Sequence, residues 1–189
     1  NTIIVFTSDN GTTHLKAEVD YNFFESVKPL RGLKGSLYEG GIRAAMGVRW
    51  PGHVPAGKES DFVWDMRDVF PTLCDLAGVE SPSHLDGMSV LPTLTGKKQQ
   101  SRQMHYWEIH SPFQQAVRFG DWKGIRFGTD EPLELYDLKT DLGEQDNVAK
   151  ANPETVRKLE AFLASARTES SYFPAKTKRV VRRKKNKKK

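Results

Sequence analysis

Asn1-Thr-Ile-Ile-Val-Phe-Thr-Ser-Asp9-Asn10-Gly11 is the stretch from which the fold is read. Thr2 to Phe6 are β-favouring residues without a charge. A short apolar run of this kind predicts a strand covered on both faces, as in a parallel sheet beneath helices. It stops at Ser8-Asp-Asn-Gly11, where Asn and Gly let the chain turn. The oxygens of Asp9 and Asn10 are thereby expected at the carboxyl end of a buried strand, the edge at which open α/β sheets bind ligands. A carboxylate beside an amide oxygen is a hard donor pair suited to Ca²⁺ or Mg²⁺. The plainer alternative is a strand that ends in an Asx turn.

The chain has 189 residues, 37 % of them hydrophobic, enough for one domain or slightly more with a core of its own. It opens on strand-forming residues, which suggests a fragment preceded by further sequence. No run of ~18 apolar residues is present, so no membrane-spanning helix is expected. A lone cysteine, Cys74, excludes an internal disulfide. It lies in the apolar run Phe70 to Leu76 and reads as a packing residue. The net charge of +5 conceals two halves. Lys176 to Lys189 carries ten Lys/Arg and no acid; without it, 19 basic residues face 24 acidic ones. A segment with two apolar residues and no aromatic cannot bury surface, so the tail is expected to be disordered. It is either a solvated tail or a contact for polyanions such as sulfated glycans.

A polar loop from Thr12 to Leu30 follows the first turn. Then comes Pro29-Leu-Arg-Gly-Leu-Lys34-Gly-Ser-Leu-Tyr-Glu39-Gly-Gly-Ile-Arg43, with four glycines between positions 32 and 41. Glu39 and Arg43 are expected to pair and pin this loop. Ala44 to Trp50 reads as a strand. Val69, Phe70, Leu73 and Leu76 have helical spacing, with Gly78 as a stop signal and a start near Val69 to Pro71. From Met104 the pattern becomes short strands: 105–108, 115–119, 122–127 and 133–136, with Gly120-Asp121 as a hairpin turn. Asn152-Pro153 predicts a helix start with Asn152 as N-cap. Val156, Leu159, Phe162 and Leu163 form that helix's apolar face.

Taken in order, these segments resemble the C-terminal part of a formylglycine-dependent sulfatase of the alkaline phosphatase-like superfamily. The resemblance rests on Phe6-Thr-Ser-Asp-Asn-Gly11, the 29–43 segment, Trp50-Pro-Gly52, Asp68-Val-Phe-Pro-Thr-Leu73, Ala77-Gly78, Leu85-Asp-Gly87, Glu134-Leu-Tyr-Asp-Leu138, Gly143-Glu144 and Asn147. It covers about residues 1 to 165. The implied fold is α/β: the C-terminal part of an alkaline phosphatase-like sandwich, with flanking helices, over 1–100. A small antiparallel sheet packed with one helix follows over 101–167, and the basic tail occupies 168–189.

The resemblance implies hydrolysis of a sulfate ester on a sulfated carbohydrate, and one loop feature bears on the substrate. His14, Asp20 and Phe23-Phe24 ahead of Pro-Leu-Arg-Gly are similar to the pattern of bacterial polysaccharide sulfatases. Asp9 and Asn10 correspond to two ligands of a single Ca²⁺. Lys34 corresponds to the catalytic lysine that holds the substrate's sulfate, and His14 to a contact with the sugar or the leaving-group oxygen. Read without the resemblance, Lys34 and His14 are solvated side chains. Two departures stand out: Lys16-Ala-Glu18 where Glu-Gly-Gly is expected, and Ala44-Ala45 where Val-Pro is usual. The formylglycine motif, Cys/Ser-x-Pro-x-Arg, is absent from residues 1–189, and Cys74 does not match it. The nucleophile is therefore expected upstream, and the fragment alone should be inactive. A periplasmic or secreted location is implied. The alternatives are a phosphodiesterase or phosphonate hydrolase of the same superfamily, and a non-catalytic polyanion-binding relative; no specific nucleic acid is expected as a partner.

Overall fold

The computed structural model describes residues 1–13, 20 and 23–178. His14, Lys16, Ala17 and Glu18, together with most of the basic run, 179–189, lie outside the described residues. The chain is mixed α/β and divides into two compact units, Asn1–Ser8 with Ala45–Arg102, and Asp9–Ala44 with Gln103 onward. No described helix is long and apolar enough to cross a membrane.

In the first unit, β1 (Ile4–Thr7) pairs antiparallel with β2 (Met46–Arg49), Ile4 opposite Arg49 and Thr7 opposite Met46. This corrects the expectation of a strand covered on both faces in a parallel sheet. Its only sheet neighbour among the described residues is β2, and Ile4, Val5 and Phe6 are exposed, Phe6 at 78 %. The side chains state what the strand would bury, but its direction and cover are set by whatever lies beside it.

Helix α2 (Val69–Ala77) begins and ends where its punctuation says. Asp65 accepts from the Arg67 N–H while Asp68 accepts from the Asp65 N–H, a reciprocal cap on the turn Met66–Asp68 that leads into the helix. At the other end Gly78 takes the left-handed conformation, φ +67°, and the Val79 N–H reaches back to the Cys74 carbonyl. The buried side is Pro71, Thr72 and Cys74, whereas Phe70 and Leu73 of the apolar series are exposed. Buried Thr72 explains its own position, donating to the Asp68 carbonyl and accepting from the Val90 N–H just before α3 (Leu91–Leu94). Arg102 pairs with both Asp65 and Asp68.

The second unit is built on an antiparallel meander of β3 (His105–His110), β4 (Phe113–Phe119), β5 (Trp122–Arg126) and β6 (Glu134–Asp137), in that order. The pairing puts Ala116, Ile125 and Tyr136 on one face and Val117, Leu135 on the other. Helix α4 (Pro153–Ser165) covers the second face with Leu159 and Leu163, and Val156 and Phe162 pack beside them. An added Cβ at Gly124 would lie 2.8 Å from Leu133, so this glycine is where the helix side of the sheet closes. Pro153 opens α4 as expected, but Asn152 does not cap it. Its side-chain amide donates to the Val148 carbonyl instead, and its backbone (φ −128°, ψ 56°) carries no side-chain cap bond. The first face is covered by Leu37 and Tyr38, from the glycine-rich segment. Beyond α4 the chain runs back along the unit. Arg167 pairs with Glu108, and the Lys176 and Thr177 carbonyls accept from the Thr129 and Asp130 N–H groups.

Candidate active site

The Asp9-Asn10-Gly11 turn and the 31–43 segment, some 30 residues apart in sequence, meet through glycine backbones. The Gly11 N–H donates to the Gly41 carbonyl at 3.0 Å, and a Cβ on Gly11 would sit 2.0 Å from the Gly40 oxygen. One residue on, the Lys34 N–H donates to the Thr12 carbonyl at 2.9 Å. A side chain at position 11 would hold the two segments apart, whereas Cβ atoms at Gly40 and Gly41 would strike backbone at 31–36 of their own segment. Asp9 and Lys34 are exposed and Asn10 is half-buried. Three of the four predicted site residues thus belong to one pair of hydrogen-bonded segments, and His14 is outside the described residues.

As a metal site, Asp9 and Asn10 offer donors of the right hardness but only part of the 6–8 oxygens that Ca²⁺ takes. No group of three or more His, Cys, Asp or Glu able to hold a metal occurs among the described residues. The pair therefore fits calcium as a partial ligand set. Cys74 is buried and sits in the first unit.

What fixes the lysine-bearing segment is a set of polar side chains on the sheet. Gln114, at the start of β4, grips both sides of Ser36: its carbonyl accepts from the Leu37 N–H at 3.1 Å and its amide donates to the Gly35 carbonyl at 3.2 Å. Arg31 donates to the Glu144 carbonyl at 2.7 Å and to the Tyr136 hydroxyl at 3.1 Å, with its guanidinium 4.0 Å from the centre of the Tyr38 ring. The Tyr38 and Tyr136 hydroxyls both donate to Glu134. Burial and that carboxylate together push the Tyr38 phenol far above its ordinary range.

Glu39, first residue of the four-residue helix α1 (Glu39–Ile42), is the hub of a buried ion cluster. Lys123 on β5 is 0 % exposed and its ammonium lies 2.7 Å from Glu39 Oε1 and 3.0 Å from Glu144 Oε1. Glu144 Oε2 accepts from the Glu39 N–H at 2.6 Å, and Arg43 Nε donates to Glu39 Oε2 at 2.7 Å. Glu39 and Arg43 do pair, then, but Arg43 is only the outer arm. Lys123 favours the charged form of both carboxylates, yet the two titrate in opposite directions. For Glu39, burial acts upward but is outweighed by Lys123 and Arg43, so its carboxyl titrates below the usual range. For Glu144 burial prevails over Lys123, and its carboxyl titrates above it. Glu144 Oε1 faces Lys123 at ion-pair distance but accepts no well-aligned hydrogen bond.

Lys123, Gln114, Glu134 and Arg31 were not legible as site residues. One signal did exist: on β5 the alternation puts Lys123 on the same face as Ile125, an apolar side on which a charge needs a partner.

The family model for the N-sulphoglucosamine sulphohydrolase C-terminal domain matches residues 31–169. An N-acetylgalactosamine-6-O-sulfatase of Bacteroides thetaiotaomicron is 33 % identical, the match covering 89 % of this chain and 37 % of that protein. A solved 6S-sulfatase from glycosaminoglycan metabolism in the same organism superposes with a TM-score of 0.71 at 32 % identity, over 88 % of this chain and 38 % of that one. A structure holding its substrate, D-glucosamine-2-N,6-O-disulfate, is 25 % identical with a TM-score of 0.68, over 85 % of this chain and 33 % of that one. The chain therefore spans well under half the length of the relatives it matches.

Proposed function

Since the chain belongs to the sulfatases, through their N-sulphoglucosamine sulphohydrolase C-terminal family, we propose that the protein carrying it is a sulfuric ester hydrolase acting on a sulfated carbohydrate. The observation that supports this reading is the hydrogen-bonded junction of the Asp9–Thr12 turn with the Lys34 loop. It gathers a carboxylate, an amide oxygen and an ammonium onto one pair of backbone segments. Relatives that act on a sulfated amino sugar support the carbohydrate as substrate.

On this reading Lys34 is the catalytic lysine and donates to the sulfate oxygens, stabilising negative charge that grows as the ester bond breaks. A lysine suits this because its compact ammonium offers three donors. Asp9 and Asn10 would hold one Ca²⁺ together with further oxygens, and the ion would supply positive charge to the developing anion. His14 contacts the sugar or the leaving-group oxygen, where an imidazole can pass on a proton. The nucleophile, a formylglycine, comes from outside residues 1–189. A periplasmic or secreted location goes with the same reading.

The test is sulfate release by the protein that carries this chain, from 4-nitrophenyl sulfate and from a 6-sulfated N-acetylhexosamine. Lys34→Ala should lower kcat/KM by about 100-fold or more, the scale of losing one charge-stabilising donor. Lys34→Arg should restore part of it, since the charge returns on a wider planar fork. Turnover of a phosphonate ester without any sulfate release would overturn the assignment, as would wild-type kinetics in Lys34→Ala with an unchanged circular dichroism spectrum.

A further inference from the structure

The buried Lys123–Glu39–Glu144 cluster is an unusual way to seat a loop. Charges withdrawn from water are costly, and an apolar trio of the same volume commonly packs at least as well. Directional bonds do what apolar packing cannot: they fix an angle as well as a distance. Here they act on one small element. Helix α1 has four residues, and its first N–H, that of Glu39, has no partner inside the helix. Glu144 Oε2 takes that N–H at 2.6 Å. The Glu39 carboxylate is then held at both oxygens, Oε1 by Lys123 and Oε2 by Arg43. Glu144 itself adopts φ +53°, a left-handed conformation that a non-glycine residue keeps only when its surroundings demand it. Within α1, the Gly40 N–H donates to the Arg31 carbonyl at 2.7 Å and the Gly41 carbonyl accepts from Gly11, while beside it the Lys34 N–H reaches Thr12. The orientation of α1 therefore carries over to the backbone on which Lys34 stands.

We propose that Lys123 and Glu144 are positioning residues for the sulfate-binding loop: their buried pair sets the angle of α1 and so holds Lys34 against the Asp9–Thr12 turn. This rests on the reading of Lys34 as the sulfate ligand. Neither residue touches substrate. Both act through Glu39, and their loss is felt as a lysine that wanders from the sulfate rather than as a lysine removed.

The experiment compares Glu144→Leu, which removes the acceptor for the Glu39 N–H, with Glu144→Gln, which keeps an oxygen there, in the whole protein. Two readouts are taken on each: amide hydrogen exchange by peptide, and the concentration of inorganic sulfate that half-inhibits turnover of 4-nitrophenyl sulfate. Glu144→Leu should raise exchange in the 31–43 peptide at least 10-fold while the β4 and β5 peptides stay at wild-type rates, and should raise the half-inhibiting sulfate concentration at least 10-fold. Glu144→Gln should recover most of both. If Glu144→Leu does not fold, Lys123→Met is read in the same way against Glu144→Gln. Exchange that rises equally in the sheet and in 31–43 would mean a role in overall stability alone, and would overturn the proposal. So would unchanged sulfate inhibition with a loosened loop. A wild-type protein without sulfate turnover, whose variants still loosen 31–43 selectively, would remove the sulfate role of Lys34 and yet support Lys123 and Glu144 as the residues that position the loop.

Discussion

Gly41→Ala sets two physical effects against each other. Gly41 lies in α1 with an ordinary helical φ, so alanine meets no backbone strain there. Helix propensity alone favours the substitution by about 1 kcal/mol. Sterics oppose it. An added Cβ would lie 2.1 Å from the Ser36 oxygen and 2.7 Å from the Leu33 oxygen, whereas ordinary contact begins at 3.4 Å. Both neighbours are backbone atoms, so no rotamer change relieves the clash, and the 33–36 turn must retreat by more than an ångström. That turn carries the Lys34 N–H bond to Thr12, and Gly41 itself accepts from Gly11. Losing both bonds costs about 1 kcal/mol each, and overpacking a tight site costs about 1–3 kcal/mol more. After the propensity gain the net is a loss of roughly 2–4 kcal/mol, a fall in melting temperature of about 5–15 °C for a domain of this size. Thermal unfolding followed by circular dichroism measures it, with Gly47→Ala as the control, because nothing lies within 4 Å of a Cβ added at Gly47. A melting temperature for Gly41→Ala at or above wild type would show that the close approach of α1 to the 33–36 turn is not real, and the placement of the Lys34 turn built on it would fall.

Asp9→Ala removes an anionic donor from a hard-cation site; calcium titration should show weaker binding and turnover should fall, and unchanged values for both would remove Asp9 from the metal site. Glu144 carries a pH signature. Its carboxyl titrates above the usual range because burial disfavours the charged form, so its contribution to stability is fully present below about pH 4.3 and fades as pH rises through the raised folded value. The stability advantage of wild type over Glu144→Gln should therefore be larger at pH 4 than at pH 7 in urea titrations, and a gap that widens toward neutral pH would contradict the assignment. Deleting residues 179–189 takes away eight Lys/Arg residues. The truncated protein should elute from a heparin column at lower salt with the same melting temperature, and unchanged elution would mean that the tail does not contact polyanions.

The sequence by itself determined the elements whose signals are local. Pro153 opens α4, Gly78 closes α2, and Gly120-Asp121 turns β4 into β5, because each depends on the backbone freedom of one or two residues. The apolar face Val156, Leu159, Phe162 and Leu163 was likewise fixed by a period of 3.6. Asp9, Asn10 and Lys34 stood out through the motifs around them. Their meeting did not, because a contact between Gly11 and Gly41 is a fact about two segments that no spacing rule joins. The same holds for β1, whose residue types announced a strand but could not give its antiparallel pairing with β2. It holds most of all for Lys123. In sequence it is one lysine among many, and only the pairing of β5 with its neighbours and the packing of α1 above them put its charge out of water between Glu39 and Glu144. Local structure follows from torsional preference and periodicity, which a chain carries in neighbouring residues. The environment of a charge depends on which distant segments exclude water from it, and only the tertiary structure decides that.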